Sequence, residues 1–222
     1  MTVFALDSLD LAALLCSRVC HDVISPVGAI VNGLEVLEEE KDADMRGFAL
    51  DLIKKSAQTA SARLQFCRLA FGAAGSAGAS IDLGDAEQVA RGLLADDRTK
   101  LEWNAVRALL PKNKVKLILN LCLIAAAAIP RGGVISVTIT GAEDSLQVQV
   151  EAKGTNAKLP AHVRHLLAGE PENDSVDAHG IQAFYTGLVA RSAGMHLIVA
   201  ISQDRVIIEA EPQQEARASL TA

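Results

Sequence analysis

A chain of 222 residues, half of them hydrophobic, can bury a sizeable core, and the order of its elements divides it into two parts. A net charge of -6 and a pI near 5.4 leave no basic stripe to neutralise phosphates, which argues against nucleic acid and for a protein partner. Asp7 and Asp10 interrupt the apolar residues at the N-terminus, and the longest apolar run, 117–129, contains Asn120 and is too short to span a bilayer, so neither a signal peptide nor a membrane span is expected.

Asp7 or Ser8 can cap a first helix that runs to about Glu40, where Lys41-Asp42-Ala43-Asp44 signals a turn. Glu38 to Glu40 read as its solvated end. Leu15, Val19, Val23, Val27, Ile30, Leu34 and Leu37 recur at steps of three or four and form one apolar stripe. At roughly 100° per residue, His21 falls about 180° from the centre of that stripe and should face water or a partner. Its neighbours on that face are Ser17, Arg18, Ser25, Gly28, Asn32 and Glu35, a small or polar strip with room for another protein.

The stretch His21-Asp22-Val23-Ile24-Ser25-Pro26 is the most informative in the chain. A near-neutral imidazole has one unprotonated nitrogen that can attack a phosphoryl group, and an adjacent carboxylate such as Asp22 can fix its tautomer and support the charge that develops. Pro26 lacks the N–H that would bond the Asp22 carbonyl, so it bends the helix below His21 or marks its end. Gly28 costs helix propensity there, which suits the close approach of a partner's backbone or tolerance of a kink. A plain exposed histidine followed by an acid would give the same short pattern.

A second helix follows, with Met45, Phe48, Leu52, Ser56, Ala60, Leu64, Cys67 and Phe71 broadly along one face over about seven turns. It ends before the small residues 72–78, a linker by composition, so residues 1–73 form a helical hairpin, 74–80 a flexible linker and 81–222 a second domain. A lone hairpin has too little interior, and a homodimeric four-helix bundle with one His21 on each side is the simplest way to complete it. The four cysteines, Cys16, Cys20, Cys67 and Cys122, sit in apolar helical surroundings without metal-ligand spacing and read as buried free thiols of a reducing cytoplasm. His162 and His165 have no companion ligand at suitable spacing and read as a surface helix turn.

Beyond the linker the pattern becomes mixed. Helices fit 85–94, 112–128 and about 178–193, and strands fit 99–103, 134–140, 146–151, 197–201 and 205–210, with a hairpin turn at 141–145. Together these make an α/β sandwich, and the whole chain an α+β protein.

This order of parts resembles the core of a bacterial sensor histidine kinase, in which a dimerisation and phosphotransfer hairpin precedes a Bergerat-type ATP-binding domain. Residues 115–125, followed by Gly132-Gly133 and a strand, look like the kinases' N-box helix and the strand after it. The departures fall on the nucleotide contacts. Ile124 stands where a second Asn would help hold magnesium, and a branched hydrocarbon offers no oxygen to a hard cation. Ala152 replaces the adenine-binding Asp two residues before Gly154, Asn156 replaces the second glycine, and the glycine-rich lid has shrunk to Gly180-Ile181-Gln182-Ala183-Phe184. The resemblance therefore implies a degenerate Bergerat domain that keeps the fold and has lost ATP binding.

An intact His-Asp-x-x-x-Pro hairpin beside such a domain is similar to the ChpT family of alphaproteobacterial histidine phosphotransferases, from about Leu11 to Glu211 and most closely in 18–30 and 64–73. The resemblance implies a cytoplasmic homodimer that works in a cell-cycle phosphorelay. His21 would accept phosphate from the receiver domain of a CckA-like hybrid histidine kinase, with Asp22 as its helper, and pass it to CtrA-like and CpdR-like response regulators. Receivers would dock on Arg18, Ser25, Gly28, Ala29 and Asn32 with part of the second helix. The chain would need no cofactor of its own, magnesium coming with the receiver, and would lack autokinase activity. The rival readings are an active histidine kinase and a dimeric scaffold that binds receivers without accepting phosphate.

Overall fold

Asp7 and Asp42 decide where the two long helices begin. In the computed structural model, which describes residues 4–72, 79–141 and 145–213, the Asp7 carboxylate accepts the Leu9 amide at 2.8 Å and opens α1, Ser8–Glu39. The Asp42 carboxylate accepts the Asp44 and Met45 amides, both at 3.0 Å, and opens α2, Ala43–Ala70. Between them the acidic run is more than a solvated end: Glu40 accepts the Lys41 and Asp42 amides, which lowers its pKa, and the Arg46 guanidinium donates to the Leu37 and Glu40 carbonyls. These bonds close the turn and fold α2 back along α1. Helix α1 continues through Pro26, which is therefore inside the helix and not at its end.

The second part is built on a five-stranded sheet. Its strands are β2 (Thr99–Asn104), β4 (Gly133–Thr140), β5 (Gln147–Lys153), β6 (Met195–Ser202) and β7 (Arg205–Pro212), in the order β2-β4-β5-β7-β6. Only β2 and β4 are parallel; their crossover is α4, Lys112–Ala128, buried nearly all round as befits the longest apolar run. The tight return from α4 needs glycine: Gly133 has φ +148°, and a Cβ there would lie 2.1 Å from the Lys153 carbonyl oxygen. Helices α3 (Leu83–Leu94) and α6 (Ile181–Ser192), with the short α5 (Ala161–Ala168), complete the helical layer. A two-stranded ribbon of β1 (Ser80–Asp82) and β3 (Leu109–Pro111) lies outside the main sheet.

Alternation assigns the sheet's two faces. Ile135, Val137, Val148, Val150, Val206 and Ile208 point into the core, all essentially buried. The other face carries polar ladders, Gln149 to Glu209 at 2.7 Å and Arg205 to Glu151 at 3.0 Å. The expected α+β class and α/β sandwich are thus the fold observed.

The hairpin and the second domain also meet away from the small-residue stretch that joins them. Residues 73–78 of the expected linker, and 142–144 of the expected hairpin turn, lie outside the described residues. On the near side of the linker, however, Phe66, Leu69 and Ala70 at the end of α2 are buried in the same core as α3 and α4. At the other end, Phe4, Leu6, Leu11, Leu14 and Leu15 pack on Leu166, Ile181 and Phe184, with Phe4 edge-on to Phe184 at 5.8 Å. A buried polar joint adds direction to this apolar contact. The fully buried Asn120 amide donates to the Ala70 carbonyl at 3.0 Å and to the Lys116 carbonyl at 2.8 Å, while Gln182 donates to the Asn120 carbonyl at 3.0 Å. The hairpin is thereby seated on the sandwich.

Candidate functional site

Helix α1 presents three faces. One, through Pro26 and Gly33, packs on α2; a Cβ on Gly33 would meet Ile53 Cγ1 at 2.6 Å. A second, about a third of a turn away, carries Ile24, Val27, Val31 and Leu34, which are 70%, 44%, 48% and 48% exposed. The apolar stripe read from the sequence therefore spans two surfaces, because α2 is too narrow to cover it. The third face carries His21, whose side chain is 86% exposed.

Asp22 is turned the other way. Its Oδ2 receives Arg18 Nε at 3.0 Å, and its Oδ1 stands 3.9 Å from His21 Nδ1, outside hydrogen-bonding distance. Arg18, expected on the open docking face, faces inward instead: at 30% exposure it is paired with Asp22 and lines a cavity of about 200 Å³. The carboxylate stands one turn along the helix, at the spacing that lets an arginine pair with an acid on the same face. Phe66, Cys67, Phe71, Leu93, Leu94 and Leu123 form the apolar remainder of the cavity, with Arg63 at its side.

Of the remaining docking residues, Ser25 and Asn32 are exposed, and Gly28 and Ala29 half-buried. A Cβ on Gly28 would have nothing within 4 Å, so this glycine serves neither helix packing nor a tight turn within the hairpin. Helix α2 contributes to the same side. Arg63 and Phe66 face the Asp22 cavity, and at helical spacing Met45, Phe48 and Leu52 continue that face, 48%, 70% and 46% exposed. The sequence showed these three as an apolar stripe but not that α1 leaves them uncovered.

Arg63 is the functional candidate that sequence reasoning missed. Its Nη1 donates to the Asp22 carbonyl, the group that Pro26 deprives of a helical partner. The available signal was Pro26 itself, since a carbonyl freed beside a buried surface needs a donor from elsewhere.

The cysteine expectation is half corrected. Cys67 and Cys122 are buried, but Cys16 and Cys20 are exposed, because they belong to the uncovered apolar side of α1. His162 and His165 lie exposed on α5, as a surface helix turn. Among the described residues no group of three or more His, Cys, Asp or Glu side chains has a metal-holding arrangement. Of the positions that depart from the kinase boxes, Ile124, Ala152, Ile181 and Phe184 are packed at 2% exposure or less, whereas Asn156 is exposed.

Residues 83–205 match the family model of the histidine phosphotransferase C-terminal domain. The protein phosphotransferase ChpT of Brucella abortus (strain 2308) is 48% identical over 207 residues, spanning 93% of this chain and 97% of that protein. The chain belongs to the ChpT family of histidine phosphotransferases. A solved structure of a bacterial phosphotransferase agrees with this assignment over nearly the whole ChpT-like chain: it is 45% identical, with a TM-score of 0.86, and covers 95% of this chain and 100% of its own. Membership of the ChpT family makes the chain a protein phosphotransferase of phosphorelay, two-component signalling.

Proposed function

We propose that this chain is the ATP-independent intermediate of a cell-cycle phosphorelay, taking a phosphoryl group from a receiver aspartate onto His21 and delivering it to a second receiver. The observation that carries the reading is the His21 ring, 86% exposed on a face of small residues and backed by the Arg18–Asp22 pair. Asp22 Oδ1 is nearest Nδ1, so a modest ring rotation sets the Nδ1–H on the carboxylate and leaves the Nε2 lone pair facing outward. In the transfer the N–P bond forms as the P–O bond to the receiver aspartate breaks, and the electron pair leaves with that carboxylate. Asp22 supports the imidazolium charge. Delivery is the reverse displacement, a second receiver carboxylate attacking phosphorus as the N–P bond breaks. The receiver brings the magnesium ion and a lysine for the charge on the transferring group.

Ser25, Gly28, Ala29 and Asn32, with Met45, Phe48 and Leu52 of α2, form the docking surface below His21. The opposite apolar face, Ile24, Val27, Val31 and Leu34 with Leu50 and Leu64 of α2, joins a second copy in a four-helix bundle. The buried Ile124, Ala152 and Phe184 support a domain without ATP binding or autokinase activity. The donor is the receiver of a CckA-like hybrid kinase, the acceptors CtrA-like and CpdR-like regulators, and the setting the cytoplasm; family membership supports this order.

A pulse and chase tests it. Labelled phospho-receiver should load one acid-labile phosphate onto His21, located by mass spectrometry, and unlabelled second receiver should remove it. Label on any other residue, or none, would contradict the reading.

A further inference from the structure

Pro26 sits four residues after Asp22, where an ordinary residue would donate its N–H to the Asp22 carbonyl and close the helical turn that carries His21. Asp22 lines a cavity with Arg18, Arg63, Phe66, Cys67 and Leu123, and its part-buried carbonyl, left without a helical donor, needs one from elsewhere. The Arg63 guanidinium supplies the missing bond from α2, 41 residues away in sequence. Arg63 and Arg18 line the same cavity with Asp22, so the carbonyl and carboxylate of one residue are held by two arginines from two helices.

We infer that Arg63 is a positioning residue for transfer at His21, replacing from α2 the helical hydrogen bond that Pro26 withholds and thereby fixing the turn on which the imidazole stands. The inference rests on the reading of His21 as the acceptor. Arg63 need not touch the phosphoryl group. It acts on the backbone next to His21 and, through that, on the angle at which the ring meets an incoming phosphorus. Because Arg63 lies beside the cavity and above the Met45–Phe48–Leu52 patch, its loss should slow the transfer step and leave docking intact.

A double-mutant cycle decides this. Arg63→Met keeps an apolar stem and removes the donor; Pro26→Ala restores an N–H for the Asp22 carbonyl. Arg63→Met alone should lower the limiting rate of transfer from phospho-receiver by about tenfold, with the half-saturating receiver concentration unchanged. In the Pro26→Ala background the same change should alter the rate by less than about twofold, and Arg63→Lys in the natural background should recover much of it. An equal loss in both backgrounds, or no loss in the natural one, would overturn the assignment, as would a rise confined to the half-saturating concentration. Urea unfolding of the same four proteins reads the bond without any partner. A coupling of at least about fivefold in the unfolding equilibrium is expected. Coupling present with no transfer to His21 in any variant would fault the acceptor reading alone, whereas absent coupling faults the Arg63 bond itself. Should Arg63→Met not fold, Arg63→Gln enters the same cycle.

Discussion

Cys67 lines the same cavity as Asp22, and burial pushes its thiol up from 9.0 to about 11, the Asp22 charge adding to the rise and Arg18 and Arg63 opposing it. A folded pKa above the unfolded one means that the fold favours the uncharged thiol. The resulting stability is complete below pH 9 and is lost as pH rises from 9 toward 11. Thermal melts from pH 7 to 11 should therefore fall more steeply above pH 9 for the natural protein than for Cys67→Ala; parallel curves would contradict the buried thiol. At this scale His21 and Asp22 were legible because their meaning is local, a nucleophile and an acid on one turn with a proline one turn on. The partners of Asp22 divide by distance along the chain. Arg18 is one turn away but was read only as a docking residue and not as a partner of Asp22, while Arg63 belongs to another helix and only the folded hairpin shows where its guanidinium goes.

Two glycines of α1 separate docking from packing. Gly28 has open space around its missing Cβ, so Gly28→Ala should raise stability by about 0.5–1 kcal/mol through helix propensity, while its new methyl group slows receiver docking. Gly33 faces Ile53 across the hairpin at a distance no Cβ tolerates, and Gly33→Leu should destabilise by about 1–3 kcal/mol or more through overpacking. Urea denaturation of both variants checks the signs; destabilisation by Gly28→Ala would remove the argument that its site is kept open for a partner. The elements themselves were read with uneven success for physical reasons. Helix α4 was placed at 112–128, as found, because a strongly apolar stretch broken only by Asn120 after Lys116 runs up to Pro130, which ends it. The strands β1 and β3 escaped notice because three residues carry no period. The stripe of α1 was real, but periodicity tells which residues are apolar and not which of two partners covers them.

The single chain leaves Val27, Leu34, Leu50 and Leu64 half exposed on the side of the hairpin away from His21, an apolar face of the kind that a partner helix covers. Val27→Glu combined with Leu34→Glu should convert a dimer into a monomer on light scattering, with the sandwich still folded; a natural protein that is already monomeric would contradict the four-helix bundle. Composition suggested a loose joint at the small-residue stretch, yet Phe66, Leu69 and Ala70 enter the sandwich core and Asn120 bonds the last turn of α2. Small residues describe a linker's freedom, not whether the elements it joins meet. Seated this way, Leu93, Leu94 and Leu123 of the sandwich wall the cavity behind Asp22, so the domain that departs from the nucleotide boxes helps build the surroundings of His21.

The central claim is tested most directly by offering the purified protein labelled ATP alone or labelled phospho-receiver with magnesium, beside the His21→Ala variant. His21→Ala should fold with stability within about 0.5 kcal/mol of the natural chain, since the side chain it removes is 86% exposed. Label arriving from the receiver only, and only on protein that retains His21, is the result expected of an ATP-independent phosphotransferase; label taken directly from ATP, or label persisting on His21→Ala, would contradict it.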